Sequence, residues 1–319
     1  MSTLSALQRS QEPAPLEIAI VNNMPDQAVE ATFAQYERLV RRATRGCVYR
    51  LRSYALEGVH RSDTARRAIL QTHDSVEALY ARGADVLIVT GAEPRTEMLT
   101  DEPYWNDFTQ LVAWARSNTY GALWSCLAAH GAVLHLDGIA RQRVNNKTSG
   151  VFSCTTVAED WATEGAPASI RVPHSRYNGL NRDDLLQHGY RISSWSGAIG
   201  VDTFWRREPS LFLFTQGHPE YAADTLSREF RRDVLRFLEN RSAEFPLAPT
   251  NYFSFATQME LAQIKMRMGA LDRGKLIDRL NQALAVDTPS ATWAKDAERL
   301  YTNWFRQILA EKELCRCEA

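Results

Sequence analysis

The sequence has little surplus charge: 37 Lys+Arg face 38 Asp+Glu, a formal net charge of -1, so no global field recommends nucleic acid or an anionic membrane as partner. It has no apolar run approaching the roughly 18 residues of a membrane span. Its N-terminus, MSTLSALQRSQEPAPLE, lacks the basic start, apolar core and small-residue cleavage site of a secretion signal, which makes a soluble cytoplasmic protein the expectation. Cysteines are few: five, odd in number and irregularly spaced in 319 residues, which argues against a disulfide framework and for reduced thiols. Cys315 and Cys317 have no second pair or nearby histidine to complete a zinc set, so no metal is expected. Internal repeats, low-complexity tracts and a Gly-rich phosphate loop are also missing.

What remains is an ordinary globular balance, 45% hydrophobic and 24% charged. Residues 1–15, with Pro13 and Pro15, read as a flexible arm. From Leu16 apolar strands alternate with helical patterns. Leu16 to Val21 is a buried strand, Val29, Phe33, Tyr36 and Val40 fall at helical spacing, and Asp85 to Gly91 is the clearest second buried strand. A helix opening at Asp101-Glu-Pro-Tyr-Trp carries Phe108, Leu111, Val112 and Ala115 on its inner stripe. This alternation predicts a doubly wound, mainly parallel α/β sheet, with ligand sites beyond the carboxyl ends of its strands. Between Gly150 and Phe214 the pattern is strand-rich, and beyond Glu220 it is helical. The expected organisation is an arm over 1–15, a catalytic domain over 16–240 and a helical C-terminal extension over 241–319 packed on it.

Two motifs carry chemistry. Gly121-Ala-Leu-Trp-Ser-Cys126-Leu-Ala-Ala-His places a cysteine where an apolar strand turns into an apolar helix. Such an elbow lifts the side chain out of the sheet, and the helix N-terminus favours a thiolate. The Leu127 N–H is then a natural oxyanion donor, with a second at Gly91-Ala92, where glycine after a buried strand allows close backbone approach. Taken alone, Cys126 reads more readily as a small core residue. The second motif, Leu211-Phe-Leu-Phe-Thr-Gln-Gly-His218-Pro-Glu220, decides otherwise. Pro219 keeps His218 extended, so His218 and Glu220, two apart, point the same way, and the carboxylate can orient the imidazole and stabilise its protonated form. Cysteine, histidine and glutamate form a candidate triad.

The order Cys126 and then His218-Pro-Glu220 on an α/β sheet resembles the class I glutamine amidotransferase fold. Further stretches resemble specifically the homoserine O-succinyltransferase family: Asn22-Asn-Met-Pro25, Thr90-Gly-Ala92 before Tyr104-Trp105, Asp137-Gly-Ile139 leading to Lys147-Thr-Ser-Gly-Val151, Pro173-His-Ser-Arg-Tyr177, Glu229-Phe-Arg-Arg-Asp233, Asn251-Tyr-Phe253 and Thr302-Asn-Trp304. These span nearly the whole chain in order. The resemblance implies that Cys126 carries the acyl group as a thioester, His218 is the base and Glu220 orients it. It further implies that Lys147, Ser175 and Arg232 contact substrate, with Arg232 suited to the α-carboxylate of homoserine. Where the family shows Thr-Gly-Ala-Pro and two residues, the second linked to acyl choice, this chain has Thr90-Gly-Ala-Glu-Pro-Arg95. A cation there favours a succinyl carboxylate over acetyl. Asp26-Gln27 replaces a segment that often carries lysine in the family, and Met259 to Gln282 reads as a helical insertion.

The implied reaction is ping-pong transfer from succinyl-CoA, a co-substrate, to L-homoserine in methionine biosynthesis, with no bound cofactor and only small molecules as ligands. A homodimer through the C-terminal helices is expected. An acetyl donor or a serine acceptor stays open, as does a catalytically silent binding relative. A glutamine-hydrolysing amidotransferase would use the same triad but usually has Gly-x-Cys-x-Gly, where this chain has Trp124, Ser125, Leu127 and Ala128 around the cysteine.

Overall fold

The computed structural model describes residues 14–26, 28–157, 159–268, 272–287 and 289–318. Residues 1–13 of the expected arm, Gln27 of the segment after Met24-Pro25, residues 269–271 of the expected insertion and the Cys317 side chain lie outside the described residues. One ten-stranded sheet organises the molecule. Its strands are β1 (Leu16–Val21), β2 (Tyr49–Ala55), β3 (Asp74–Ser75), β4 (Val86–Val89), β5 (Gly121–Ser125), β6 (Gln142–Thr156), β7 (Ser169–Gly179), β8 (Arg191–Ser196), β9 (Gly200–Arg207) and β10 (Leu211–Thr215). Their order is β3-β2-β1-β4-β5-β10-β9-β8-β6-β7. The six strands from β3 to β10 run parallel to one another, and β9, β8, β6 and β7 add an antiparallel wing.

The parallel strands are apolar along their length because both faces are covered. All four residues of β4 and all five of β10 are buried. Alternate residues serve alternate layers. Val21, Leu87, Val89, Trp124, Phe212 and Phe214 face α4 (Trp105–Asn118) and α5 (Leu127–Asp137). Ile18, Ile20, Val86, Ile88, Leu123, Leu211 and Leu213 face α1 (Ala28–Ala43) and α10 (Ala294–Glu318). The C-terminal helix is therefore half of a sheet-covering layer, with Tyr301, Trp304, Phe305 and Ile308 all buried in it. A separate cluster joins α7 (Thr225–Leu238), α8 (Phe255–Met266) and α9 (Arg273–Val286) around Phe253.

Strand order reverses beside β1, since the chain steps to β2 and β3 on one side and then to β4 and β5 on the other. The crevice beyond the carboxyl ends at such a switch point is where this architecture binds ligands. Two features depart from the periodicity. Residues 142–149 belong to β6 and 174–179 to β7, so these strands are longer than their apolar runs; their polar ends border the crevice described below. A helix α2 (Asp63–Thr72) buries only Ile69, too little for an apolar stripe to announce it.

Candidate active site

Cys126 stands between β5 and α5 with φ 52° and ψ -111°, a left-handed conformation that costs a non-glycine residue free energy and persists only where neighbours over-determine it. Those neighbours are present. The Cys126 N–H donates to the Thr215 carbonyl of β10 at 2.7 Å, and its own carbonyl accepts from Ala129 at 3.0 Å in the first turn of α5. Leu127 is the first residue of that helix, so its N–H has no acceptor within it. Gly91 packs directly on it: a Cβ at 91 would come within 2.9 Å of the Leu127 nitrogen and 2.8 Å of its Cβ. Only glycine permits the Gly91-Ala92 backbone to approach the elbow this closely.

His218 is set by backbone as well. Its N–H donates to the Pro173 carbonyl at 2.8 Å, and the ring lies parallel to Tyr221 with centroids 4.2 Å apart. Nδ1 is 2.8 Å from Glu220 Oε1, and the ring also lies beside the Cys126 sulfur. Burial by itself disfavours an imidazolium here, yet the Cys126 sulfur and the Glu220 carboxylate together raise the His218 pKa well above its ordinary value. Glu220 is buried, with Tyr36 of α1 and Tyr301 of α10 beside it.

These groups open onto a cavity of about 610 Å³. Cys126, His218, Glu220, Leu127, Gly91, Ala92, Lys147, Ser175 and Arg232 all border it, although they come from six separate stretches of chain. Lys147 Nζ lies 2.6 Å from Asp233 Oδ2, and Arg232 holds the other oxygen at 2.9 Å. Asp233, which the motif Glu229-Phe-Arg-Arg-Asp233 contained but its spacing did not single out, stands behind the cavity wall and anchors both cations. Arg95 differs from the expectation. It does not border the cavity; its side chain is exposed, because the turn it occupies is tied by the Arg95 and Thr96 N–H groups to the buried Glu102 carboxylate. The cation favouring a succinyl carboxylate therefore has to be sought elsewhere on the wall.

Arg176 is a buried guanidinium on that wall which the sequence reading passed over. It donates to the carbonyls of Asn178 and Ile199 at 2.5 and 2.6 Å and to His174 Nδ1 at 3.2 Å. Period two along β7 was the available signal, since it puts His174 and Arg176 on one face. Beneath them His174 Nε2 lies 3.1 Å from Asp202 Oδ1, with Cys154 beside the pair. This buried trio has the spacing of a metal site, but its chemistry does not suit one. Arg176 occupies Nδ1 and so places the imidazole proton on Nε2, toward Asp202, and burial pushes the Cys154 thiol up, keeping it protonated. Its role is support. A Cβ at Gly217 would strike Asp202 Oδ1 at 2.7 Å and His174 Nε2 at 2.8 Å, so this pair is the floor on which the His218 segment rests.

A strained cysteine at the carboxyl edge of a parallel sheet, backed by a histidine and a buried glutamate, defines an α/β protein with a candidate Cys-His-Glu catalytic site. The family model of homoserine O-succinyltransferase matches residues 2–313. Curated homoserine O-succinyltransferases are similar throughout: that of Bradyrhizobium japonicum is 43% identical, covering 93% of this chain and 91% of its own, and that of Rhodopseudomonas palustris 40%, covering 95% and 91%. The chain belongs to the homoserine O-succinyltransferase family. Among solved structures, SMU.1228c superposes with TM-score 0.51 at 12% identity, covering 92% of this chain and 99% of that one, which speaks for the fold alone. No helix among the described residues is long and apolar enough to cross a membrane.

Proposed function

We propose that this enzyme transfers a succinyl group from succinyl-CoA to the hydroxyl of L-homoserine through a Cys126 thioester. The observation that carries the reading is the strained Cys126 beside a His218 whose Nδ1 is held by Glu220, at the edge of the cavity. The thiolate attacks the thioester carbon, the oxyanion meets the Leu127 and Gly91-Ala92 amides, the CoA sulfur leaves, and the His218 proton neutralises it. Homoserine then gives its hydroxyl proton to His218 while its oxygen attacks the acyl carbon, and the Cys126 thiolate is regenerated. Sulfur suits the first step because one thioester replaces another.

Arg232 is suited to the α-carboxylate of homoserine and Asp233, held between Lys147 and Arg232, to its ammonium. The test is intact mass after incubation with succinyl-CoA alone: a succinyl adduct absent from Cys126→Ala and discharged by homoserine supports the reading. Discharge by serine instead would change the acceptor, and an adduct from acetyl-CoA alone the donor. A cytoplasmic location agrees with the reduced cysteines. Phe255, Met259 and Met266, exposed at helical spacing on α8, support a homodimer, for which sedimentation velocity of Phe255→Glu against wild type is the check.

A further inference from the structure

The cavity has a long axis marked by α5. Cys126 caps the helix at one end, and Leu127, His130 and Leu134 continue the wall. Eight residues at ~1.5 Å each carry it about 12 Å from Cys126 to Leu134. Beyond the helix end at Gly138, the same cavity is bordered by Arg141 and Arg143. Between a thioester sulfur and the first phosphorus of coenzyme A lie about thirteen bonds, which at ~3.5 Å per three bonds of extended chain span about 15 Å. An acyl-CoA with its sulfur at Cys126 thus has its phosphates near the far end of this wall.

The cations of the cavity differ in what they are already doing. Lys147 and Arg232 share Asp233, and Arg176 is committed to His174 and two carbonyls. Arg141 uses Nη2 on the Glu97 main-chain carbonyl at 3.0 Å, and its buried Nη1 has no hydrogen-bond partner among the described residues. Arg143 stacks over Tyr177 at 5.5 Å, and among the described residues no carboxylate pairs with it or with Arg141. Arg141, half-buried, is less basic than usual chiefly through burial, which Tyr104 and Glu102 oppose and Arg143 reinforces. Two adjacent guanidiniums with no carboxylate in ion-pair contact among the described residues, one with a buried idle donor, are suited to a diphosphate.

Midway along the wall, His130 adds a second, independent feature. Its Nε2 is 2.9 Å from Gln216 Oε1, while its buried Nδ1 has no partner among the described residues. Gln216 Nε2 donates to the Val201 carbonyl, which orients Oε1 as the acceptor and so leaves His130 Nδ1 as a lone acceptor. Burial holds this imidazole neutral, with its pKa down to about 3. An amide N–H of the pantetheine arm is the donor that would complete it.

We infer that acyl-CoA lies along α5, its pantetheine arm passing His130 and its phosphates held by Arg141 and Arg143. The inference rests on the acyl-CoA reading above and extends it to a docking path. Succinyl-pantetheine, which keeps the acyl group and arm but lacks the phosphates and nucleoside, separates the two. The measured quantity is the ratio of kcat/KM for succinyl-CoA to that for succinyl-pantetheine. In the double variant Arg141→Gln/Arg143→Gln this ratio is expected to fall about 100-fold, roughly tenfold for each charge-assisted phosphate contact. An unchanged ratio, whether both donors suffer equally or neither does, overturns the path. Should the variant fail to fold, wild type decides: added salt must raise KM for succinyl-CoA much more than for succinyl-pantetheine, and equal effects overturn it. Wild type that forms no adduct from either donor defeats the acyl-transfer reading itself, together with the path.

Discussion

At the scale of single residues, the Cys126, His218 and Glu220 geometry has a direct titration consequence. Burial lowers the His218 pKa, and the Cys126 sulfur and the Glu220 carboxylate beside it reverse that. Glu220→Gln keeps the shape and removes one charge, so the pKa of His218 is expected to drop, as NMR titration of its ring would report; an unmoved titration would refute the electrostatic account. Acylation of Cys126 should slow by roughly 10⁴-fold, the order of effect seen when an orienting carboxylate is neutralised. The sign for stability follows. Since the folded pKa lies above the ordinary 6.5, the contribution of His218 is complete below pH 6.5 and is lost as pH rises through the folded value. Gly91→Ala brings a methyl onto the Leu127 amide and should cut kcat by roughly 10²-fold, the cost of one oxyanion donor, with the protein still folded by circular dichroism. Arg95→Glu, by contrast, is expected to leave the preference for succinyl-CoA over acetyl-CoA within about twofold of wild type, because an exposed side chain outside the cavity acts only through screened solvent.

At the scale of elements, the placement of α10 is the least expected feature. Its charged, amphipathic sequence reads as an extension after residue 240, but Tyr301, Trp304, Phe305 and Ile308 roof one face of the parallel strands. Tyr301 also stands beside Glu220, so this last helix reaches the site itself. Trp304→Ala should destabilise the protein by about 3–5 kcal/mol in urea unfolding, the range for a buried aromatic truncated in a core. A loss under 1 kcal/mol would show that α10 is an appendage.

At the scale of the whole molecule, the buried carboxylates set the acid limit. Burial raises the pKa of Asp233 and of Asp202, but Lys147 and Arg232 around the first, and His174, Ser194 and Thr203 around the second, hold both below the ordinary 3.8. Their stabilisation is therefore present above pH 3.8 and is lost as pH falls through the depressed values. Asp233→Asn should flatten the acid side of the stability profile; a parallel, merely shifted profile would assign the acid transition to other groups. The antiparallel wing is what joins these charges to the triad. It brings Lys147 and Ser175 on β6 and β7 to a cysteine that belongs to the parallel half.

The parallel strands, the elbow at Cys126 and the His218-Pro-Glu220 pairing were legible along the chain, because each rests on local rules: apolar runs for strands covered on both faces, a strand-to-helix turn, and same-side projection of residues two apart. The ordered motifs were enough to name the family. What the linear order left open are facts of long-range packing. Arg95 sits at a position that carries specificity in the family's pattern, yet a hydrogen-bonded turn on Glu102 leaves it outside the cavity. Arg176, Asp233, the idle donor of Arg141 and the idle acceptor of His130 matter only because strands and helices far apart in sequence meet around one crevice. Which polar groups a fold satisfies, and which it leaves for a ligand, depends on neighbours that only the closed sheet supplies.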